Sequence, residues 1–402
     1  MAVDPVNLSD IRAARRRIKS GVILTPCTAS IPLSEITGSR VACKLDNFQR
    51  TGSFKERGAR NALLMLSRAR RSRGVVAASA GNHALGLAYH GKLLGIPVTV
   101  VMPEFAPLIK ITTCQRLGAS VILHGSDFTE ARAEADRIAA TGPAYIHGFD
   151  DPHIIAGQGT MGLEILEQVP DVDAIVCPVG GGGLLAGICV GVKAVRPSVK
   201  VIAVESVCTG NLTAAMRAGR PVHVRRRATL ADGLATLTVG DNAFALIRRR
   251  VDQVVRVEEK WISLAILRML ELEKTVVEGA AAAPLAALIS GKLRGLKGKR
   301  VALVVCGGNI DPAILGRVIE KGLVHDGRLT RFTVTISDRP GGLAELARVI
   351  ASCGASINQV SHDRAFSGPD VSETRVVCTV ETRDRAHISM LHRALRRDGF
   401  RP

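Results

Sequence analysis

Three glycine-bearing segments of the chain, two of them directly after an apolar run, carry residue types suited to covalent or anion-binding chemistry. In Thr51-Gly52-Ser53-Phe54-Lys55-Glu56-Arg57-Gly58-Ala59, a lysine stands in a small-residue turn ahead of an Ala/Leu-rich stretch. An amine held beside an aromatic face can bond covalently to a carbonyl cofactor. A lone lysine in a turn is equally an ordinary surface residue. Ser79-Ala80-Gly81-Asn82-His83 lies between a strand-like run and a helix predicted from about Ala84. Backbone N–H groups at a helix start attract anions such as carboxylates, and Asn82 adds a side-chain donor. Ser and Asn are also common helix caps. Val179-Gly180-Gly181-Gly182-Gly183-Leu184-Leu185-Ala186 repeats the strand–loop–helix pattern, and its glycines let a backbone wrap a phosphate. Close helix–sheet packing is the bland alternative. A rival is a dinucleotide fingerprint: Gly181, Gly183 and Ala186 satisfy G-x-G-x-x-A, and Glu205 closes the next strand. Cys306, in Val304-Val305-Cys306-Gly307-Gly308-Asn309, puts a thiol at a fourth strand end, unless it is simply a buried cysteine in a tight turn.

Such loops need a sheet to aim them. Val75–Ser79, Pro97–Met102, Ser120–His124, Ala174–Pro178, Val199–Glu205 and Arg300–Val305 read as strands, separated by helical stretches such as 84–94 and 129–140. The alternation predicts parallel sheets of βαβ units, whose ligands bind beyond the carboxyl ends of the strands. The pattern changes after residue 318. Lys321–Leu329 reads as a linker, followed by strand Phe332–Ile336, the turn Asp338-Arg339-Pro340-Gly341-Gly342, helix 343–353, strands near 355–363 and 372–382, and helix 385–398. This β-α-β-β-α order, with room for one last strand, predicts a small ferredoxin-like domain.

The chain's 402 residues fit two or three domains, and 47% hydrophobic with 22% charged residues excludes a disordered chain. The net charge of +18, from 41 Arg and 13 Lys against 36 acidic residues, raises nucleic acid as a partner. The runs at 15–17, 70–73, 225–227 and 248–250 lack neighbouring aromatics that could stack bases, so solvated surface is the plainer reading. Nine cysteines without CxxC, and a start without an apolar signal region, point to a reducing, cytoplasmic setting. Residues 174–192 are apolar enough to imitate a membrane span, but Pro178 and the glycines favour strand–loop–helix.

Taken together, the motifs resemble the fold-type II pyridoxal 5′-phosphate enzymes, most closely the threonine/serine dehydratases (ammonia-lyases). Gln49 to Ala59 is similar to the family's cofactor-lysine string, Ser79 to Ala84 to its substrate loop and Gly180 to Gly183 to its phosphate loop. Ala231-Asp232-Gly233 and Gly157-Gln158-Gly159-Thr160 match further strings, and the likeness spans about residues 8 to 318. It outweighs the dinucleotide reading, which also lacks an early βαβ unit. The resemblance implies two open, twisted, mostly parallel sheets with flanking helices. A large cofactor-binding lobe would take 1–49 and 149–320, and a small lobe 50–148. It also implies that Lys55 binds the cofactor covalently and moves the α-proton. Phe54 would cover a ring face, Asn82 would bond the ring hydroxyl, and Gly180, Gly181, Gly182, Gly183 and Leu184 would hold the phosphate. Ser79, Ala80, Gly81, Asn82 and His83 would grip the substrate carboxylate. Cys306 stands at the ring-nitrogen position, usually Ser, and Leu85 replaces a common Gln; both bear on substrate preference.

The implied reaction is β-elimination and deamination of L-threonine to 2-oxobutanoate and ammonia, with serine or another β-hydroxy amino acid as the alternative. Serine racemase is the poorer match, because Ala80 stands where racemases carry a proton-moving Ser. A racemase-like metal site is incomplete, with Glu205 present but Asn211 in place of a second carboxylate, so no metal is expected. The segment 328–402 resembles an ACT regulatory domain through Asp338, Arg339, Pro340, Gly341, Gly342 and Leu343. This implies an amino-acid effector, such as isoleucine or valine, and a homodimer or homotetramer. Neither a nucleic acid nor a membrane is expected as a partner.

Overall fold

A computed structural model describes residues 4–225, 227–363 and 372–402, so Arg226 of the third basic run lies outside the described residues. The chain divides into two units, Met1–Ile310 and Asp311–Pro402.

The first unit contains strands β1 (Cys27–Ser30), β2 (Arg40–Leu45), β3 (Val75–Ala78), β4 (Val98–Met102), β5 (Ser120–Leu123), β6 (Ala144–Tyr145), β7 (Ala174–Pro178), β8 (Lys200–Ser206), β9 (Gln253–Val257) and β10 (Arg300–Val305). They form two sheets. The larger has the order β1-β2-β10-β7-β8-β9 and is parallel apart from β1, which runs antiparallel to β2. The smaller, β5-β4-β3-β6, is wholly parallel. Strands covered by helices on both faces must be apolar throughout, and every residue of β3 and β7 is buried. With few aromatics, the core of the smaller sheet is closed by Val75, Ala77, Val98, Val100, Met102, Leu85 and Leu87.

Five helices carry or brace the strand-end loops: α1 (Lys55–Met65), α2 (Asn82–Leu94), α3 (Pro152–Gln168), α4 (Gly183–Val195) and α5 (Gly279–Ile289). The start of α3 is fixed by Asp151, which accepts from His153 N (2.7 Å) and Ile154 N (3.1 Å), with Pro152 in the first turn. Residues 174–192 form β7, the glycine loop and most of α4. Among the described residues, no helix is long and apolar enough to cross a membrane. The basic run at 68–73 is a short helix with no buried residue, a solvated face.

The second unit contains α6 (Pro312–Asp326), β11 (Leu329–Ser337), α7 (Gly342–Ser352), β12 (Ser356–Asp363), β13 (Glu373–Glu381) and α8 (Arg385–Arg397). Its antiparallel sheet has the order β11-β13-β12. Alternation along β11 buries Phe332, Val334 and Ile336 against Leu346, Ile350, Leu391 and Leu395. Two expectations are corrected. The linker read at Lys321–Leu329 is largely helix, because the period of α6 continues through Val318 and Gly322, its buried residues, to Asp326. The division between units accordingly falls after Ile310, not near residue 328. No final strand follows α8; Phe400 turns back, its N–H on Leu395 O (2.9 Å) and its ring buried in the core.

Candidate active site

Lys55 opens α1 in a turn stitched to the segment after β10. Phe54 N donates to Cys306 O (2.9 Å), and Gly308 N to Gly52 O (2.9 Å). Two residues further on, Arg57 is fully buried between two carboxylates. It bonds Asp46 through Nε (2.6 Å) and Nη2 (2.8 Å), and Glu164 through Nη1 (2.6 Å) and Nη2 (2.8 Å). Because Asp46 follows β2 and Glu164 lies on α3, this bidentate pairing locks α1 to the larger sheet and to α3. The Lys55 amine donates to Gly148 O (2.5 Å) and faces a cavity of about 620 Å³. Burial lowers its pKa to about 8, opposed by the nearby Glu278 carboxylate.

The glycine loop forms one wall of that cavity. Gly182 has φ +96°, a backbone region that side chains avoid, and a Cβ on Gly183 would lie 2.3 Å from Phe149 O. The loop is anchored by its oxygens: Gly180 O accepts from Asn211 Nδ2 (3.2 Å) and Gly181 O from Gly240 N (3.1 Å). No side chain caps α4, and its first internal bond is Ala186 N to Gly182 O (2.8 Å). The N–H groups of Gly183, Leu184 and Leu185 therefore precede the helical ladder, the usual seat of a phosphate. The start of α2 is built alike. Gly81 precedes it without a side-chain cap, and Leu85 N to Gly81 O (3.3 Å) is the first bond.

All the residues expected in the catalytic part, Phe54, Lys55, Ser79 to His83, Gly180 to Leu184 and Cys306, line this one cavity. Three details differ from the sequence reading. The Asn82 amide is already engaged, its Nδ2 2.9 and 3.0 Å from the two oxygens of Glu278 and its Oδ1 accepting from Asn309 Nδ2 (2.8 Å). His83 is buried with Nε2 3.0 Å from Ile146 O, and burial with nearby Lys55 pushes its pKa down to about 3, so it presents a neutral ring. Leu85 packs into the smaller sheet's core and does not line the cavity. The Cys306 thiol is held protonated, its pKa lifted well above the ordinary value by burial.

Sequence reading missed Glu278, Asn309, Gly148 and Phe149. Asn309 ends the quoted Cys306 string. Glu278 was visible as the one acidic residue heading an Ala-rich stretch. The dinucleotide rival fails at Glu205, which is buried with its carboxylate accepting from Thr213 N (2.8 Å) and Oγ1 (2.6 Å), leaving it unavailable to a ribose. Asp338, Arg339, Pro340, Gly341 and Leu343 line a separate cavity of about 380 Å³ within the second unit, with His362 as an unforeseen member. Gly342 closes that turn, N–H on Arg339 O (3.2 Å).

A nucleophilic lysine shifted toward neutrality and an uncapped helix start behind glycines suit a phosphate-bearing aldehyde. Comparison with known proteins agrees. The profile described as "Pyridoxal-phosphate dependent enzyme" matches residues 18–307. The L-threonine ammonia-lyase of Thermotoga maritima is 46% identical over 396 residues, 98% of each chain. The processed form of threonine deaminase isoform 2 from Solanum lycopersicum superposes with a TM-score of 0.76 at 36% identity, over 79% of this chain and 87% of that one. Serine racemase from Dictyostelium discoideum gives 0.73 at 36%, over 76% and 99%. The lysine turn, the glycine loop and every lining residue of the cavity but Asn309 fall inside the matched span, and the chain belongs to the pyridoxal-phosphate dependent enzyme family.

Proposed function

We propose that the chain is a threonine ammonia-lyase, converting L-threonine to 2-oxobutanoate and ammonia and L-serine to pyruvate. The observation that carries the reading is the convergence of the Lys55 amine, the glycine loop and the 79–83 loop on one cavity, in a chain 46% identical to such an enzyme end to end. Pyridoxal phosphate, when bound, supplies an electron sink that acidifies the α-proton of an amino acid joined to it. The protein's part is binding, orientation and proton handling. The N–H groups at the start of α4 would hold the phosphate, and those at the start of α2 the substrate carboxylate. Phe54 and Phe149 supply apolar walls. Lys55 accepts the α-proton, its pKa of about 8 suiting an amine that must shed and regain protons near neutrality. With the cofactor bound, the neutral Cys306 thiol would not favour a charged ring nitrogen, which suits loss of the β-hydroxyl, protonated so that it leaves as water. The released enamine adds water and expels ammonia.

Ala80 supports elimination over the racemase alternative, since a methyl group cannot carry a proton to the opposite face. We assign the larger sheet to a cofactor lobe and the smaller to a substrate lobe. The second unit, about the Asp338–Leu343 turn, is read as an ACT-type effector site for isoleucine or valine in a homodimer or homotetramer. A cytoplasmic setting is supported by nine free thiols. The test is a substrate panel. The full chain with pyridoxal phosphate should release 2-oxo acid from L-threonine and L-serine, and isoleucine or valine should shift the threonine response in the wild type but not in Arg339→Ala. No 2-oxo acid from L-threonine would refute the activity; an effector response surviving Arg339→Ala would refute the effector site.

A further inference from the structure

Glu278 is a buried carboxylate, 4% exposed, in the cavity wall. Its place is set by the backbone: it precedes α5, and its N–H donates to Gly307 O (3.1 Å) beside Cys306. Both its oxygens face one nitrogen, Asn82 Nδ2, at 2.9 and 3.0 Å. Carboxylate oxygens about 2.2 Å apart subtend roughly 45° at that nitrogen, whereas the two N–H bonds of an amide diverge by about 120°. A single N–H therefore serves both oxygens, and the second is left over. The other end of the amide is equally constrained. Asn309 Nδ2 donates to Thr51 O (2.7 Å) and to Asn82 Oδ1 (2.8 Å), so Asn82 must turn its oxygen to Asn309 and its nitrogen to Glu278.

We propose that Glu278 is a positioning residue: as an acceptor-only partner it fixes the Asn82 amide in one orientation, presenting the unused N–H to the cofactor subsite. The proposal rests on the assignment of Asn82 to that subsite. The cost of burying the carboxylate shows in its pKa, raised by burial to about 7, so it is mostly ionised at pH 8. The titratable or charged groups facing it are Lys55, Cys306, Asp232 and Lys110.

A double-mutant cycle separates positioning from a general effect on the site. The dissociation constant of pyridoxal phosphate is measured by equilibrium dialysis of the full chain at pH 8, for wild type, Glu278→Leu, Asn82→Ala and the double variant. The account predicts that Glu278→Leu weakens binding about tenfold in the wild type and less than about twofold when Asn82 is already Ala. Glu278→Gln, which keeps an acceptor oxygen, should stay within about threefold of wild type. Equal losses in both backgrounds, no loss in the wild-type background, or a Gln variant as weak as the Leu variant would overturn the proposal. Should Glu278→Leu not fold by circular dichroism, Glu278→Ala takes its place with the same outcomes. A wild type that binds no pyridoxal phosphate would refute the site itself, and this proposal with it.

Discussion

Replacing Gly183 by Ala is a direct test of the close packing beneath the glycine loop. A Cβ there would lie 2.3 Å from Phe149 O and 3.0 Å from its carbonyl carbon, against the 3.4 Å at which ordinary contact begins. The obstacle is main chain, so no rotamer change relieves it, and the segment around Phe149 must retreat by about 1 Å or α4 must tilt away. Either movement reaches the chemistry, since Gly148 O accepts from the Lys55 amine at 2.5 Å. Overpacking of this kind costs about 1–3 kcal/mol of stability. Misplacing a reacting group by about 1 Å costs on the order of 100-fold in turnover. Denaturant midpoint, pyridoxal phosphate affinity and kcat/KM should be measured for Gly183→Ala beside Gly316→Ala. A Cβ at Gly316, inside α6, meets nothing within 4 Å, so that variant should match or slightly exceed wild-type stability. Wild-type stability and turnover in Gly183→Ala would refute the packing argument.

Two further outcomes follow from the buried charges. Arg57→Met removes the bidentate cation from Asp46, 0% exposed, and leaves Glu164, 6% exposed, with Lys44 alone; it should lower unfolding free energy by about 3–5 kcal/mol, read from denaturant curves, and a loss below about 1 kcal/mol would contradict the network's role. For Lys55, a pKa lowered from 10.5 to about 8 means that lowering pH through 8 protonates the amine and removes its nucleophile. At pH 7.5 roughly a quarter of the amine is then neutral, against about 0.1% for an ordinary lysine. The rate at which pyridoxal phosphate combines with cofactor-free protein should rise from pH 7 and level off above about 8; a rise continuing to pH 10 would show an unshifted lysine.

The strand-end loops were legible because parallel strands buried on both faces read as unbroken apolar runs, as in β7 and β10, with glycine motifs directly after them. The strands that escaped notice lack that signal. β6 has only two residues. β2 carries Lys44, whose charge is buried against Glu164 at 2.6 Å, so a core strand looks polar. β9 holds Arg256, partnered by Val207 O at 2.8 Å. Glu278 and Asn309 belong to the site only through bonds spanning 196 and 227 residues, which no local pattern records. Leu85 misled for the opposite reason: it neighbours the 79–83 loop in sequence, but one turn of α2 carries it into the core. In the second unit, helical period in α6 ran through a stretch whose glycines and charges read as linker.

We propose the Lys55 amine as the cofactor's covalent anchor. Borohydride reduction of the pyridoxal phosphate-loaded chain, followed by digestion and mass spectrometry, tests it without reference to turnover. The account predicts a single phosphopyridoxyl label on the peptide containing Lys55, absent from Lys55→Ala. A label on another lysine, or none on a protein that binds the cofactor, would contradict it.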